Sequence, residues 1–345
     1  MRVAVYHNNK DVRIEERPVP SIGPGEILLR VRASGICGSD VMEWYRVPRA
    51  PLVLGHELSG EIEATNAPHL KAGDRVVLSH HVPCGECAYC RRGHPTVCDT
   101  LRSTNLDPGG FGEFVRVPAI NVRHGVFHIP DDLSFEEATF TEPLGCVLRG
   151  QRFASVSPDD SVLVLGSGLT GLLHIRLARA HGGPLSRASG ASRVFATDVN
   201  PFRLEAALRC GADGTIPSTD DVPARLRALN EGRLADCVLV CTGAASAISQ
   251  AFRSVERGGT VLLFAPTNPG REIAMPYNDL WHDEVTITSS YGAGPRDMES
   301  SLELLARRLV RVDDLISHRL PLDHAAEGFR LTAEAQHSLK VILNP

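Results

Sequence analysis

The chain is poor in aromatic residues, in long apolar runs and in net charge. Aromatic side chains make up 5% of its 345 residues and hydrophobic residues 43%, so we expect a core built mainly on Val, Leu, Ile and Ala. No apolar run reaches the ~20 residues that a transmembrane helix needs. Lys and Arg number 36 against 41 Asp and Glu, a formal net charge of −5. So mild a charge argues against a nucleic acid or a membrane surface as the main partner.

We also expect no secretory signal at the start of the sequence, because Met1 to Tyr6 is typical of a strand. The chain nevertheless has nine cysteines. Without a secretion signal they favour a reducing compartment, in which thiols are kept for metal. We therefore expect a cytoplasmic protein, and its length suggests two domains on the usual scale of ~100–200 residues each.

Four of the cysteines lie in one 15-residue window with the spacing C-x₂-C-x₂-C-x₇-C: Cys84, Cys87, Cys90 and Cys98. Four thiolates so close can fill a tetrahedral zinc shell with Zn–S bonds of ~2.3 Å. A complete shell leaves no open position, so such a metal is structural. Two disulfides are disfavoured because nothing marks a secreted chain. An iron–sulfur cluster is the stronger alternative, since thiolates hold those too.

A second set of possible ligands comes from separated segments. Cys37 opens the run Cys-Gly-Ser-Asp, His56 and Glu57 follow a glycine, and Glu142 precedes Pro-Leu. Three protein ligands and a water form the catalytic zinc pattern, because the open position admits substrate. Taken singly each segment is weak, since a lone Cys is usually a small buried hydrophobe.

A glycine motif follows a strand-like run. The run of Ser161 and the apolar residues 162–165 leads directly into G-x-G-x-x-G, formed by Gly166, Gly168 and Gly171. A largely apolar segment from Leu172 to His181 is predicted to be a helix, which completes the context that the dinucleotide fingerprint requires. The glycines permit a tight turn, the approach of the pyrophosphate and close packing of helix on strand.

Strand and helix patterns alternate from residue 161 onward, which indicates a doubly wound parallel sheet. The six predicted strands are Val162–Leu165, Val194–Thr197, Gly214–Ile216, Cys237–Cys241, Thr260–Phe264 and Val285–Thr288. The first 150 or so residues have short β-like runs between Gly and Pro, which predicts an antiparallel barrel with long loops. Those runs include Glu26–Val31, Leu58–Ala64, Arg75–Leu78 and Phe114–Val117.

On these residues the chain resembles the zinc-containing medium-chain dehydrogenases/reductases, in particular their polyol (sorbitol-like) and threonine dehydrogenase branch. The resemblance covers almost the whole chain. It implies an α/β protein with a GroES-like β-barrel catalytic domain, residues 1–150 and 290–345, and a Rossmann NAD-binding domain, residues 151–289. It also implies a homo-oligomer, either a dimer or a tetramer.

By position, the resemblance makes Cys37, His56 and Glu57 ligands of a catalytic zinc. Glu142 becomes a fourth ligand or holds the zinc water, and the cysteine cluster holds a second, structural zinc. Ser39 matches the family's proton-relay hydroxyl, and Asp40 matches a carboxylate that supports a zinc ligand.

One position departs from the family pattern. Many relatives carry a His five residues after the ligand Cys, where this chain has Met42. A Met cannot shuttle a proton, so the route stays open between Ser39 with the cofactor ribose, Glu142, and His80 or His81.

The cofactor is predicted to be NAD, with NADP left open. Asp198 ends the second Rossmann strand, where an acid binds the ribose hydroxyls and repels a 2′-phosphate. It lies 32 residues past Gly166, against ~20 in the usual fingerprint, and we attribute the excess to a flexible surface insertion, the glycine-rich stretch 182–192. Arg203 can accommodate a 2′-phosphate, and a role for Asp198 as a cap of the helix near Pro201 stays open. Further cofactor contacts implied by the resemblance are Leu169, Thr170, Cys241 and Thr242.

The predicted activity is zinc-dependent hydride transfer between NAD and a secondary alcohol of a polyol, cyclitol or amino alcohol. An L-threonine 3-dehydrogenase is the alternative among enzymes, and a non-catalytic zinc- and nucleotide-binding protein is the alternative from another class. Trp44 and Tyr291 line the substrate pocket by family position, with core packing as the other interpretation.

Overall fold

The computed structural model describes residues 1–180 and 191–345. Within them the chain forms two compact units, one of Met1–Gly145 with Ala293–Pro345 and the other of Cys146–Gly292. The glycine-rich stretch 182–192 lies almost entirely outside the described residues, as does the predicted helix end at His181. In the described ranges no helix is both long and apolar enough to cross a membrane.

The strands of the described ranges are β1 (Arg2–Asn8), β2 (Asp11–Glu16), β3 (Ile27–Ile36), β4 (Leu52–Val53), β5 (Glu57–Thr65), β6 (Arg75–Leu78), β7 (Phe114–Val117), β8 (Val126–His128), β9 (Ser161–Leu165), β10 (Arg193–Asp198), β11 (Gly214–Pro217), β12 (Ala235–Val240), β13 (Val255–Leu263), β14 (Thr286–Ser289), β15 (Ile316–Pro321) and β16 (Lys340–Asn344). The α-helices are α1 (Glu43–Arg46), α2 (Ala88–Arg91), α3 (Asp99–Ser103), α4 (Ala119–Gly125), α5 (Phe135–Ala138), α6 (Thr141–Ala154), α7 (Leu169–Arg179), α8 (Pro201–Arg209), α9 (Val222–Leu229), α10 (Ala245–Ser254), α11 (Tyr277–His282), α12 (Pro295–Ala306) and α13 (Ala325–Glu334).

The first unit is built on two sheets of mainly antiparallel strands. The larger has seven strands in the order β15-β16-β3-β5-β6-β8, with β7 also paired to β3, and the smaller has the order β2-β1-β4. Ile27, Leu29 and Val31 alternate along β3 and bury one face of it, as the two-residue period of a strand requires. Two of the predicted runs, Arg75–Leu78 and Phe114–Val117, coincide with β6 and β7.

The second unit contains a six-stranded sheet in the order β11-β10-β9-β12-β13-β14. Every neighbouring pair in it is parallel. All residues of β9 are buried, as expected for a central strand covered on both faces. Each of the six predicted runs overlaps one of these strands, so the predicted doubly wound parallel sheet is confirmed.

Two predicted boundaries in this unit are wrong. The strand predicted at Thr260–Phe264 begins at Val255, because Val255 already pairs with Ala235 of β12. The helix predicted from Leu172 begins at Leu169, directly after Gly168, so the last glycine of the motif lies inside its first turn.

Candidate metal centres and cofactor loop

The four clustered cysteines face one another in the segment between β6 and the start of α3. Sγ–Sγ distances are 4.0 Å for Cys84–Cys90, 3.5 Å for Cys87–Cys90 and 3.6 Å for Cys98–Cys84. Four sulfurs that each lie ~2.3 Å from a tetrahedral zinc are ~3.8 Å apart. All nine cysteines of the chain are free thiols, so the disulfide alternative is wrong. The cluster therefore has the size and donor set of a closed tetrahedral metal site.

A second group of ligand atoms consists of Cys37, His56 and Glu57. One donor atom from each lies within 4.8 Å of the other two, and the His and Glu are buried. Cys37 follows β3, and Glu57 opens β5. These strands pair antiparallel with Gly35 opposite Glu57, which brings the end of one strand beside the start of the other. Three side chains that are distant in sequence thus converge on one point.

The carboxylate of Asp40 contacts both Cys37 and His56. Its Oδ2 accepts a hydrogen bond from the backbone N–H of Cys37 (3.0 Å), and its Oδ1 lies 3.4 Å from His56 Nδ1. The Asp40 side chain is fully buried. Burial favours the neutral acid, but the adjacent His56 and Arg46 and the hydrogen bond from the Cys37 N–H together outweigh it and lower the pKa of Asp40. An ionised Asp40 fixes the orientation of the imidazole ring.

The electrostatics favour the metal-binding form of Cys37. Burial on its own raises the pKa of this thiol, but the charge of protonated His56 and its hydrogen bond with the thiol together outweigh burial and lower the pKa. The pKa of His56 is raised well above its usual value, because the negative charges of Asp40 and Cys37 outweigh burial. The thiolate is the form of cysteine that binds metals.

Glu57 has a partner that the sequence reasoning missed. Its Oε2 forms an ion pair with Lys340 Nζ, and both side chains are fully buried. Neither buried carboxylate oxygen of Glu57 has a further hydrogen-bond partner within the described residues, so Oε1 is left without the ion pair that Oε2 has. Burial lowers the pKa of Lys340 to about 8, while the negative charges of Cys37 and Asp40 oppose that change. The one available sequence signal was a lysine inside the apolar run at the start of β16.

The relay candidate Ser39 also has an unforeseen partner. Arg46 donates from Nη2 to Ser39 Oγ (3.1 Å) and to Asp40 Oδ1 (3.3 Å), and from Nε to the Ser39 carbonyl (3.0 Å). The Arg46 side chain is only 13% exposed. Nothing in the local sequence distinguishes it from a surface arginine of α1. The hydroxyl of Ser39 is thereby held by a cation.

Two histidines extend the group on one side. The His80 ring lies 4.8 Å from the His56 ring, and the His81 ring lies 3.9 Å from the His80 ring, centroid to centroid. Nδ1 of His81 contacts the carbonyl of Thr104 at 2.5 Å. Burial, and then the charge of His56, lower the pKa of His80 well below its usual value. His80 therefore stays neutral at physiological pH.

The remaining predicted residues of the alcohol site are more dispersed. Glu142 is half-buried in the first turn of α6, outside the mutually close group of ligand atoms. Its negative charge nevertheless acts to raise the pKa of the Cys37 thiol. Trp44 is 39% exposed and its ring lies 5.7 Å from the tilted ring of Tyr45 in the first unit, and Tyr291 of the second unit is 55% exposed. Core packing is therefore the wrong interpretation for Trp44 and Tyr291.

The glycine motif forms an open loop between β9 and α7. Gly166 has a φ of +95°, which favours glycine. A Cβ on Gly171 would lie 2.0 Å from the carbonyl oxygen of Gly166, so helix and loop touch there. A Cβ on Gly168 would meet nothing within 4 Å, which leaves space beside the backbone. Gly168 is the N-cap of α7 with no side-chain cap, so the N–H groups of the first turn, at Leu169 and Thr170, point into this space. The loop fits a pyrophosphate.

Asp198 ties this loop to the end of β10. Its Oδ2 accepts from the N–H of Ser167 (2.8 Å), and its Oδ1 accepts from the N–H of Asn200 (2.9 Å). The N-cap of α8 is Asn200, so the interpretation of Asp198 as that helix cap is wrong. Arg203 Nη1 lies 4.0 Å from Asp198 Oδ2.

The predicted residues Cys241 and Thr242 also lie at the loop. The N–H of Cys241 donates to the carbonyl of Leu165 (2.8 Å), and a Cβ on Gly166 would lie 3.1 Å from Cβ of Thr242. The structure thus brings the predicted cofactor residues of the second unit to one edge of its sheet.

The sequence matches two protein families in this order. Residues 23–131 match the alcohol dehydrogenase GroES-like domain, and residues 171–307 match the zinc-binding dehydrogenase family. Sorbitol dehydrogenase from Gallus gallus is 31% identical to the chain and aligns over 98% of it and 95% of the relative.

Two solved structures are similar over 100% of this chain and 99% of their own. A zinc-binding dehydrogenase from Sinorhizobium meliloti 1021 bound to NADP has a TM-score of 0.86 at 27% identity. A short chain alcohol dehydrogenase from Escherichia coli CFT073 complexed with NADH has a TM-score of 0.86 at 26% identity.

These similarities confirm the predicted fold class and the predicted class of reaction. They hold across both compact units and over nearly the full length of the relatives. The chain belongs to the zinc-binding medium-chain alcohol dehydrogenases, which are oxidoreductases that act on the CH–OH group of an alcohol.

Proposed function

We propose that the protein is a zinc-dependent dehydrogenase that transfers a hydride between a secondary alcohol group of a polyol and NAD. The observation that carries the proposal is the convergence of Cys37, His56 and Glu57 within 4.8 Å. Three protein ligands are what a catalytic zinc site uses, because the fourth position must accept substrate. The likeness to sorbitol dehydrogenase supports a polyol as the substrate.

The residues of this group fit zinc. Thiolate, imidazole and carboxylate are all zinc ligands. The buried Oε1 of Glu57, which lacks a hydrogen-bond partner within the described residues, is an acceptor that a cation would satisfy. Cys37, His56 and Glu57 would hold the catalytic ion, with Glu142 close enough to act on it through its charge. The cluster of Cys84, Cys87, Cys90 and Cys98 would hold a structural ion.

The bound groups supply two kinds of chemistry: zinc is a Lewis acid that makes an alcohol easier to deprotonate, and NAD accepts the hydride. The chain itself must orient the ligands and move the proton. Asp40 fixes the His56 ring. Ser39 Oγ accepts a hydrogen bond from Arg46, which leaves its own hydrogen to donate elsewhere. A guanidinium does not take up a proton at neutral pH, so the proton leaves Ser39 toward another acceptor.

The proposed cofactor is NAD, held by the loop of Gly166, Gly168 and Gly171. The carboxylate of Asp198 is 5% exposed at the carboxyl end of β10, where ribose hydroxyls bind in this class of sheet. The relatives solved with NADP and with NADH show that the fold accepts either cofactor. NAD is therefore preferred when the repulsion of a 2′-phosphate by Asp198 is stronger than its attraction by Arg203.

We also propose that the protein is a homo-oligomer and acts in the cytoplasm. β14 is the edge strand of the six-stranded sheet, and within the described residues it pairs only with β13. Ile287 of β14 is 38% exposed, and Tyr277 and Trp281 of α11, the helix that precedes β14 in the chain, are each 68% exposed. An unpaired strand edge with exposed apolar side chains on it and on the preceding helix is suited to pairing with a second copy. Nine free thiols are consistent with a reducing compartment.

The first prediction tests the activity and the separate roles of the two metal sites. With NAD, the wild type is expected to oxidise one or more polyols in a screen of polyols, cyclitols, amino alcohols and threonine, followed by the absorbance of the reduced cofactor. Cys37→Ala should abolish turnover but leave the protein folded, because it removes a ligand from an open site. Cys90→Ala should mainly lower the melting temperature, because it opens a closed shell whose metal contributes to folding.

Metal analysis of the same three proteins completes this test. Two zinc ions per wild-type chain and one per Cys37→Ala chain are expected. Activity on none of the alcohols would contradict the proposed function, and iron with sulfide at the cysteine cluster would contradict the structural zinc.

The second prediction concerns the cofactor. Asp198→Ala should raise the KM for NAD and narrow the ratio of kcat/KM between NAD and NADP, because it removes the charge that repels a 2′-phosphate. Arg203→Ala is the matched control and should widen that ratio. A wild type that uses NADP better than NAD would contradict the assignment.

The third prediction concerns the proton. Ser39→Ala should lower kcat by roughly 10²–10⁴, the usual contribution of general acid–base catalysis. Zinc content should stay unchanged because the hydroxyl is not a ligand, and Met42→His should be tolerated. Steady-state kinetics across pH 6–10 make the comparison. Near-normal turnover of Ser39→Ala at every pH would rule out Ser39 as the relay.

The fourth prediction concerns assembly. Trp281→Glu combined with Ile287→Lys should convert the oligomer into smaller species, because charges at an edge strand oppose edge-to-edge pairing. Light scattering coupled to size-exclusion chromatography measures the mass, and Leu208→Glu, at a residue of α8 that is 48% exposed, is the control. A monomeric wild type would overturn the proposal.

A further inference from the structure

The strongest unexplained feature of the first unit is its buried lysine. Lys340 opens β16, which lies antiparallel to β3 with Val341 opposite Ile36. The side chain of Lys340 is fully buried, and its Nζ contacts Glu57 Oε2 and donates to the carbonyl of Ile36 at 3.3 Å. Both the ammonium group and the carboxylate lose their hydration when they are buried, and this loss opposes folding. A fully buried pair of Lys340 and Glu57 is therefore unusual unless it has a further role.

The choice of lysine at this position is specific in this chain. Its 36 basic residues include three lysines, Lys10, Lys71 and Lys340. Lys10 and Lys71 are exposed, whereas Lys340 is fully buried. The other 33 of the 36 basic residues are arginines. Lysine has a compact ammonium group, whereas arginine has a wide planar guanidinium. The lysine at position 340 therefore fits a narrow space beside Glu57.

Gly35 makes the room for that cation. A Cβ on Gly35 would lie 2.4 Å from Lys340 Cε, 2.5 Å from Lys340 Nζ and 2.7 Å from Glu57 Oε2. Gly35 lies inside β3, opposite Glu57 in the ladder. Its backbone does not have the positive φ that would itself favour glycine. The missing side chain is explained by the ion pair, so a strand glycine, a lysine and a ligand carboxylate form one unit.

We propose that Lys340 is a positioning residue for the metal centre, which holds Glu57 by Oε2 so that Oε1 faces the metal together with Cys37 and His56. The inference rests on the proposed function, in that it takes Glu57 as a ligand. The ligand atoms of Cys37, His56 and Glu57 already lie within 4.8 Å of one another while the ion pair is formed. Because Lys340 pairs with Oε2, Oε1 is the carboxylate oxygen that is left for a metal ion.

If the ion pair only stabilised the fold, mutation of Lys340 would have a different effect. Removing one partner of a buried ion pair that serves only the fold lowers stability, because the other charge is left buried and unpaired, and it has no reason to affect one metal site selectively. A residue that orients a metal ligand instead changes metal affinity, typically 10- to 100-fold on mutation. Zinc affinity at one site, measured separately from stability, therefore distinguishes the two roles.

The test measures zinc retention by the full-length holoenzyme during titration with a chelator. Lys340→Met should release the zinc of the Cys37 site at a free-zinc concentration roughly 10- to 100-fold higher than the wild type does. The zinc of the cysteine cluster should be retained equally by both. Cys37→Ala identifies which of the two zinc ions belongs to this site, and Lys71→Met controls for the loss of an exposed lysine.

Gly35→Ala provides a second variant that changes no charge. Its Cβ displaces the lysine and the carboxylate, so it should weaken the same zinc in the same direction, and it decides the question if Lys340→Met does not fold. Zinc held by both variants as tightly as by the wild type, or more tightly, would overturn the inference, as would a fall in melting temperature without selective zinc loss. A wild type with zinc only at the cysteine cluster would instead contradict the proposed function.

Discussion

The antiparallel pairing of β3 with β5 is the constraint on which the metal centre depends. Because Gly35 lies opposite Glu57, the residues just beyond each paired position, Cys37 and His56, come together at the same end of the ladder. A slip of one residue would turn the Glu57 side chain to the other face of its strand. The apolar residues that alternate along β3 fix this register, so core packing determines the geometry of the ligands.

Charge balance around that point explains the polar residues that are buried there. Cys37, Glu57 and Asp40 place three acidic groups close together, two of them fully buried, and Arg46 and Lys340 supply the neighbouring cations. A buried charge is tolerated only when it is paired or bound to a metal. Asp40 is shared between His56 and Arg46, whereas Glu57 retains one oxygen that no protein group in the described ranges satisfies. Of the two carboxylates, Glu57 is therefore the one that can bind a metal, and Asp40 is the one that orients a ligand.

Sequence predicted the features that depend on local spacing and missed those that depend on tertiary contact. The cysteine cluster and the glycine loop are each encoded within a few residues, and the buried β9 and the parallel sheet follow from periodicity. Lys340 and Arg46 were missed because an isolated basic residue has no spacing signal. Lys340 reaches Glu57 only through the pairing of β16 with β3. The cap interpretation of Asp198 failed since Asn200, two residues on, takes that position.

We propose that one chain holds two zinc ions, one of them open to substrate at Cys37, His56 and Glu57. Anomalous diffraction from crystals of the holoenzyme, recorded on both sides of the zinc absorption edge, tests this most directly. We expect two zinc peaks per chain, one inside the cysteine cluster and one bonded to Cys37 Sγ, a His56 ring nitrogen and Glu57 Oε1. A zinc-replete crystal with a single peak, at the cysteine cluster alone, would contradict the claim.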